Sequence, residues 1–228
     1  MSQNTHKDIK TLAYVLRRTN FGEADRILNL ITPSGKMTAI AKSARKEKSK
    51  LAGGIEMFSL IEINIHFGKG EMGLVTGAKM LKYYGKILAD FERMELAALI
   101  LKKISLVAES LDSEECFNIV NAALPALDRG ARRDLVEAWF WLNYAKLSGE
   151  QINLYRDVRG NKLEAEKKYD WNIDEAAFME KENGSFDADA IKLMRLMTAT
   201  ELGVVERVKG IDDKLQPILR VARGINKI

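Results

Sequence analysis

Residues 36–67 read KMTAIAKSARKEKSKLAGGIEMFSLIEINIHF and place a strongly basic segment between two apolar runs. Apolar and polar residues alternate strictly from 61 to 67, the period of two that directs one set of side chains to a core and the other to water. Residues 37–41 form a shorter apolar run before the basic segment. Residues 42–50, KSARKEKSK, which we call the basic loop, hold five cationic residues against the single acid Glu47. The pattern predicts a basic loop held between two strands of one sheet.

Three further alternating stretches extend this sheet on both sides. They cover residues 12–17, 26–32 and 72–76, and the sequence PSGK at 33–36 has the proline and glycine of a tight turn. That turn predicts a hairpin between the second and third strands. Five short strands within about 75 residues are typical of a five-stranded oligonucleotide-binding barrel, the OB-fold.

The period of the apolar residues changes to three and four after Gly85, which is the spacing of amphipathic helices. Residues 150–186 are polar and irregular, and helical patterns cover 88–111, 113–127, 132–147, 187–197 and 212–228. We therefore predict the α+β class, with an N-terminal five-stranded OB-fold β-barrel at residues 1–82 and an all-helical C-terminal domain at residues 83–228.

The two predicted domains differ in charge. The first 84 residues carry 14 Lys and Arg against 7 Asp and Glu, and the other residues carry 22 against 25, within a net charge of +4. Such an asymmetry indicates different partners for the two domains. The single cysteine, Cys116, excludes an internal disulfide and indicates a reducing compartment. Since the chain has no apolar run of bilayer length and no signal-peptide pattern, we expect a cytoplasmic protein without membrane association.

The basic loop is the strongest functional signal in the sequence. Barrels of this type bind single strands, and lysine and arginine side chains neutralise the backbone phosphates, so we predict phosphate contacts for the loop. Neighbouring turns and strand ends extend the patch, and the predicted phosphate-binding residues are Lys42, Arg45, Lys46, Lys48, Lys50, Arg17, Arg18, Lys36 and Lys69. The alternative is a solvated surface turn, the usual role of a charge run. Phe21 is the candidate for stacking on a base, whereas a core role is expected for Tyr14 and Phe67 on their apolar faces.

Residues with the spacing of a catalytic or metal site do not occur in the sequence. It has no glycine-rich phosphate loop, no Cys or His pairs at metal-ligand spacing and no nucleophile elbow. His66 stands on the polar face of its strand without a second histidine nearby, and Cys116 is expected to be a buried, inert thiol. We therefore predict a protein without catalytic residues, metal or cofactor.

A second candidate site lies at the start of the third predicted helix. Arg132 and Arg133 fall in its first turn, where the helix dipole disfavours cations, and Trp139 and Phe140 follow on the same helix. An acidic peptide with an apolar end would find both charge and aromatic surface there. The alternative is that the two arginines pair with nearby acids such as Asp128 and Asp134.

Residues 11–80 resemble the N-terminal domain of the bacterial recombination mediator protein RecO. The resemblance is carried, in order and spacing, by Tyr14-Val15-Leu16-Arg17-Arg18, Gly22-Glu23-Ala24-Asp25, Leu30-Ile31-Thr32-Pro33, Gly35-Lys36, Thr38-Ala39-Ile40-Ala41-Lys42, Ala44-Arg45, Lys48-Ser49, Leu51-Ala52-Gly53 and Phe58. It implies an OB-fold barrel followed by a helical domain, binding of single- and double-stranded DNA, and annealing of complementary strands. It also implies the partner RecR, docking of the acidic C-terminal tail of single-strand-binding protein, and help in loading recombinase onto strands coated by that protein.

The chain departs from the family pattern in its second half. Many relatives carry a zinc-ribbon-like insertion with paired cysteines, and Arg156 and Arg159 stand where the first pair is expected, with the second pair missing around residues 178–181. Four-ligand zinc binding is therefore not expected at residues 150–186. The segment is either held by packing, through residues such as Tyr169, Trp171 and Phe178, or mobile.

The resemblance predicts a non-enzymatic, DNA-binding recombination mediator in DNA repair. The alternative is an RNA-binding OB-fold protein of translation or ribosome assembly, with the helical domain as a docking site for proteins. Acceleration of DNA strand annealing would separate the two.

Overall fold

A computed structural model describes residues 7–150 and 152–226, apart from the side chain of Ser113. Its first five strands are β1 (Lys7–Phe21), β2 (Asp25–Thr32), β3 (Gly35–Ala41), β4 (Ser59–Phe67) and β5 (Gly73–Tyr83). They form a closed barrel in the order β1-β2-β3-β5-β4. The predicted five-stranded, OB-like barrel is confirmed.

A short parallel pairing of β3 with β5 closes the barrel. Ala39 and Ile40 lie opposite Gly73 and Leu74. The other neighbouring strands are antiparallel, and β1 is long enough to pair with β4 along its first half and with β2 along its second half. Closure pairs the edges that an open five-stranded sheet would expose.

The predicted tight turn joins β2 to β3. Thr32 Oγ1 donates a hydrogen bond to the Gly35 carbonyl at 2.8 Å and accepts one from the Ser34 amide at 3.2 Å. Gly35 has a φ of 130°, a backbone conformation that side chains with a Cβ rarely adopt. The predicted hairpin is confirmed.

Aliphatic side chains from all five strands fill the barrel, and they are Ala13, Val15, Leu28, Leu30, Ala39, Ala41, Ile61, Ile63, Ile65 and Val75. Tyr14 points to the opposite side of β1, where its ring packs 6.4 Å from that of Tyr84 and 5.5 Å from that of Phe117. Phe67 is partly buried against the barrel core. The core roles expected for Tyr14 and Phe67 are therefore confirmed, and β1 is buried on both faces around Tyr14.

Three helices follow the barrel: α1 (Gly85–Leu88), α2 (Phe91–Val107) and α3 (Ser113–Arg129). The helix predicted over 88–111 is interrupted, because Asp90 adopts an extended conformation and its side chain accepts from the Arg93 amide as the N-cap of α2. Backbone contacts divide the chain into the compact units Met1–Asp128 and Arg129–Ile228. The three helices thus lie within the first unit or reach its end, whereas the domain boundary predicted after residue 82 stays a prediction.

The second unit holds the remaining elements, which are α4 (Arg133–Leu147), β6 (Tyr169–Asn172), β7 (Ala177–Glu180), α5 (Ala188–Ala199), α6 (Leu202–Val205) and α7 (Asp212–Ile225). Helix α4 is buried along most of its length and packs against α5 and α7. Strands β6 and β7 form an antiparallel hairpin. The expectation of a purely helical C-terminal half is corrected by this hairpin, which the polar composition of residues 150–186 concealed.

An aromatic cluster holds the hairpin in place. The Phe178 ring makes edge contacts with Tyr169, Trp171 and Phe186, with ring centroids 6.4, 5.3 and 5.3 Å apart. Tyr169, Phe178 and Phe186 are buried. The expectation that packing rather than metal holds this segment is supported by these contacts, because the rings supply a core within a segment that has no cysteine.

Candidate functional site

The basic loop leaves β3 as a series of turns anchored in the barrel. The Lys46 amide donates to the Ser43 carbonyl at 3.1 Å, and the Ser49 amide donates to the Lys46 carbonyl at 2.9 Å. Ala44 is buried in the barrel core. The buried Ala44 therefore anchors the loop to the barrel core, while the lysines on either side of it face solvent.

Hydrogen bonds from two loop residues fasten the basic loop to the turn between β1 and β2. The Arg45 guanidinium donates through Nη2 to the carbonyls of Gly22 (2.6 Å) and Glu23 (2.5 Å), and the Arg45 amide donates to the Ala24 carbonyl at 2.8 Å. The Ser43 amide donates to Asp25 Oδ1 at 2.7 Å. We call these four bonds the clamp. It makes the basic loop and the β1–β2 turn one structural piece.

Four lysines of the basic loop point their charges into water. Lys42, Lys46, Lys48 and Lys50 are all exposed. Among the residues that the structure describes, none of the four has an ion-pair partner. Glu47 is exposed between them. The structure therefore brings together a cationic surface whose charges are not neutralised within the described chain.

The other predicted phosphate-binding residues divide into two groups. Arg17 on β1 and Lys69 in the β4–β5 turn are exposed, and we find no ion pair for either within residues 7–150 and 152–226. Arg18 instead lies 2.8 Å from the Glu56 carboxylate. Lys36 Nζ donates to Glu109 Oε1 at 2.8 Å and to the Ser105 carbonyl at 3.1 Å, and this contact lowers the pKa of Glu109.

The charges of Arg18 and Lys36 are thus engaged in internal ion pairs, and the guanidinium of Arg45 belongs to the clamp. Six of the nine predicted residues keep charges directed to solvent, and they are Arg17, Lys42, Lys46, Lys48, Lys50 and Lys69. The sequence could not separate the two groups, because the partners of Arg18, Lys36 and Arg45 are distant in the chain or are backbone atoms.

Partly buried apolar side chains form a row on the outer face of the barrel, which the sequence did not reveal. The strand register places Ile27 opposite Ile40 and Ile40 opposite Leu74. Because Leu28 and Ala39 fill the interior, their neighbours Ile27 and Ile40 face outward. All three members of the row are partly buried. The row became visible only with the register between strands, since each residue stands alone in its own stretch of sequence.

The second candidate site is not formed as expected. Trp139 and Phe140 are 5% and 0% exposed, and Trp139 Nε1 donates to the Thr200 carbonyl at 3.3 Å. The prediction of an accessible aromatic surface at these two residues is wrong for this reason. Arg132 is the N-cap residue of α4 and pairs with Asp134 at 2.9 Å and with Asp212, and the bond to Asp134 raises the pKa of Arg132.

The neighbouring Arg133 Nη2 lies 3.9 Å from the Glu137 carboxylate. Glu137 is buried and is also bound by Arg223, with Nε–Oε1 and Nη2–Oε2 distances of 2.6 and 2.8 Å. The alternative that the arginines at 132 and 133 pair with acids therefore describes the structure.

Among the residues described, no group of three or more His, Cys, Asp or Glu side chains is placed to hold a metal ion. Cys116 is buried, and burial raises the pKa of its thiol to about 11, with Asp112 and Glu115 adding to the effect. His66 Nδ1 lies 2.7 Å from Asp8 Oδ1. Across residues 7–150 and 152–226 we find no helix with the length and apolar character that a bilayer crossing requires.

The barrel is similar to a domain of known proteins. A family described as recombination protein O, N terminal, matches residues 6–84. The chain is 32% identical over 147 residues to a DNA repair protein RecO of Roseiflexus sp. (strain RS-1), covering 64% of this chain and 52% of the relative. It is 32% identical over 149 residues to a DNA repair protein RecO of Dehalococcoides mccartyi (strain ATCC BAA-2266 / KCTC 15142 / 195), covering 64% of this chain and 58% of the relative.

A DNA repair protein RecO of Rubrobacter xylanophilus is 31% identical over 137 residues, with 59% of this chain and 55% of the relative covered. The chain thus spans just over half the length of these curated relatives. The family match covers all five strands of the barrel, and the similarity to the relatives is longer than the barrel itself. The barrel of this chain is therefore similar to the N-terminal domain of the RecO family.

Proposed function

We propose that this protein binds DNA through the basic loop of its barrel and acts as a non-enzymatic mediator in recombinational DNA repair. The observation that carries the proposal is the clamp, which holds four exposed lysines on a barrel of the RecO type. A loop that is already ordered loses less conformational entropy on binding than a mobile one. The clamp therefore favours a binding role over that of a solvated turn.

The chemistry of the loop suits the phosphate backbone rather than a particular base. Lys42, Lys46, Lys48 and Lys50 present ammonium groups on long side chains, which act as point charges. Such contacts release counterions and carry no sequence information. We infer binding that is independent of sequence and strongly dependent on salt, as a protein that acts on any broken chromosome needs.

Annealing of complementary strands follows from the same surface. Two strands repel each other through their phosphates, and a protein that neutralises part of this charge lowers the cost of bringing them together. The names of the relatives, DNA repair protein RecO, support a role in repair. We also propose that the protein helps to load recombinase and acts with RecR. These two roles rest on the resemblance to the RecO family alone.

Docking of the single-strand-binding protein tail stays a proposal without an assigned surface. Trp139 and Phe140 are buried, and Arg132 is already paired with two aspartates. A tail peptide that docks at α4 would have to displace these internal contacts. The tail therefore needs a different surface from the one predicted.

The proposal is tested by the salt dependence of oligonucleotide binding. Each neutralised phosphate of a single strand contributes about −0.7 to the slope of log K against log salt, so Lys46→Ala, Lys48→Ala and Lys50→Ala together should flatten that slope by about two units. The matched control replaces Lys102, Lys162 and Lys168, which are exposed and lie outside the barrel. The slope of the control should equal that of the parent, and an equal loss in both triple variants would show only an effect of net charge.

The alternative function is that of an RNA-binding protein of translation or ribosome assembly. An assay of DNA strand annealing distinguishes it from the proposed function. The parent should accelerate pairing of complementary DNA strands, and the triple variant of the basic loop should not. The proposal would be contradicted if the parent bound RNA tightly and DNA strands annealed no faster with it than without it.

A further inference from the structure

Phe21 places a large apolar ring directly before the turn that the clamp joins to the basic loop. The side chain is 51% exposed at the end of β1. Single exposed apolar residues are common on proteins, so exposure alone assigns no role. Phe21 differs from such residues because its backbone neighbours are fixed in place. It directly precedes Gly22, Glu23 and Ala24, whose carbonyls all accept hydrogen bonds from Arg45. The ring and the lysines of the basic loop therefore sit on one rigid piece.

The register adds an apolar track beside the ring. Phe21 lies opposite Asp25, and two residues earlier Thr19 lies opposite Ile27, which begins the row Ile27, Ile40 and Leu74. Because side chains two apart on a strand share a face, Phe21 and this row face the same side of the sheet. In OB-folds the face of strands 2 and 3, together with the loops after strands 1 and 4, binds oligonucleotides. Phe21 stands where that face meets the first of those loops.

The six solvent-directed cations of the barrel outnumber the acids near this track. Arg17 shares the outer face with Phe21, Lys42 begins the basic loop, and Lys69 lies in the β4–β5 turn. The acids in the same turns, loops and strand ends are Glu23, Asp25, Glu47 and Glu71. The Asp25 carboxylate accepts the Ser43 amide in the clamp and is therefore already engaged. An anionic polymer with flat apolar side groups matches this arrangement of an apolar track between cations.

We propose that Phe21 is the base-stacking platform of the interface and that its ligand is single-stranded DNA. The inference rests on the proposed DNA-binding function. In a duplex each base is covered on both faces by its neighbours, so a protein ring can stack only on a base that is unpaired. The ring and the apolar row contact bases, and the lysines contact the backbone. Phe21 thereby sets a preference for single strands, which the lysines alone do not provide.

The test compares the full chain with its Phe21→Ala, Phe21→Leu and Phe21→Trp variants. Fluorescence anisotropy measures binding to labelled oligothymidine and to a labelled hairpin duplex across a range of salt concentrations. Phe21→Ala should weaken binding to oligothymidine at least about fivefold, and Phe21→Trp should retain the parent affinity, because stacking needs an aromatic face. Duplex affinity and the salt slope should not change, because the ring carries no charge. Melting temperatures check that each variant is folded.

Several results would overturn the inference. Parent-like oligothymidine binding by Phe21→Ala or Phe21→Leu would exclude stacking, and an equal loss on the duplex would exclude a preference for single strands. A loss on oligouridine without a loss on oligothymidine would assign the ring to RNA. Failure of the proposed function would look different. In that case the parent would bind neither oligothymidine nor the duplex, or its binding would not depend on the lysines of the basic loop.

Discussion

Tyr14 Oη donates a hydrogen bond to Asn121 Oδ1 at 2.8 Å, and this bond joins the first strand of the barrel to helix α3. The same hydroxyl lies 3.2 Å from Tyr84 Oη. Burial raises the pKa of Tyr14 above its usual range, and the neighbouring Tyr84 adds to the effect, so the hydroxyl stays protonated and can donate. The barrel and the helices after it are therefore coupled within the first compact unit.

Replacement of Tyr14 by Phe should lower the free energy of unfolding by about 1 kcal/mol, the usual net value of one hydrogen bond. The ring stays in place, so packing is unchanged, and the exposed Asn121 can bond water instead. Urea denaturation measures the difference. The matched control is Tyr83→Phe, since Tyr83 is 44% exposed and its change should have no effect. Equal stability of the two variants would contradict a structural role for the Tyr14 hydroxyl.

A fragment of residues 1–128 should fold cooperatively, whereas a fragment of residues 1–84 should not. Cutting after Tyr84 removes Phe117 from the ring of Tyr14 and leaves that face of β1 in water. Loss of buried apolar surface costs about 25 cal/mol per Å², which a small barrel has little stability to offset. Circular dichroism melts of the two fragments provide the comparison. Identical melting temperatures would place the end of the folding unit at the barrel, as the sequence suggested.

Arg45→Ala should loosen the basic loop without unfolding the barrel. The substitution removes both guanidinium bonds of the clamp, so amides of residues 43–49 should exchange with deuterium faster than in the parent. Lys46→Ala is the matched control, because it removes a charge from the same loop but no bond to the β1–β2 turn. Exchange rates that are the same in both variants would show that the clamp does not order the loop.

Cys116 should make stability decrease in alkaline solution. Because its native thiol pKa is raised from 9.0 to about 11, the native state holds the proton more tightly than the unfolded state. This contribution is fully present below pH 9 and is lost as the pH rises towards 11. Cys116→Ala should show a smaller loss of unfolding free energy over that pH interval than the parent. A parallel pH dependence of the two proteins would mean that the thiol does not ionise differently on unfolding.

The sequence was sufficient for the barrel because each of its signals is local. The alternation of Ile61, Ile63 and Ile65 with polar residues and the turn at 33–36 each depend on neighbours in the chain, and all appear in the structure. The hairpin at β6 and β7 was missed because its core comes from scattered rings. Tyr169, Phe178 and Phe186 are too far apart in the sequence to give a period of two.

The candidate site was only partly predictable for the same reason. The number of positive charges in residues 42–50 can be read from the sequence. Whether each cationic residue faces solvent or pairs within the protein depends on contacts between residues that are far apart in the chain. Lys36 looks like a member of the patch until Glu109, 73 residues later, is found beside it. Arg45 looks like a phosphate ligand until the Gly22 carbonyl is found on its guanidinium. Burial of Trp139 and Phe140 likewise follows from the packing of α4, which its own sequence does not specify.

The aromatic cluster of the β6–β7 hairpin has a consequence for the environment in which the protein can keep its shape. A ribbon held by zinc loses its fold when its thiolates are oxidised or when the metal is withdrawn. The rings of Tyr169, Phe178 and Phe186 pack without a metal ligand or a thiolate. A hairpin built on ring packing therefore needs neither a bound metal nor reduced cysteines to keep its geometry.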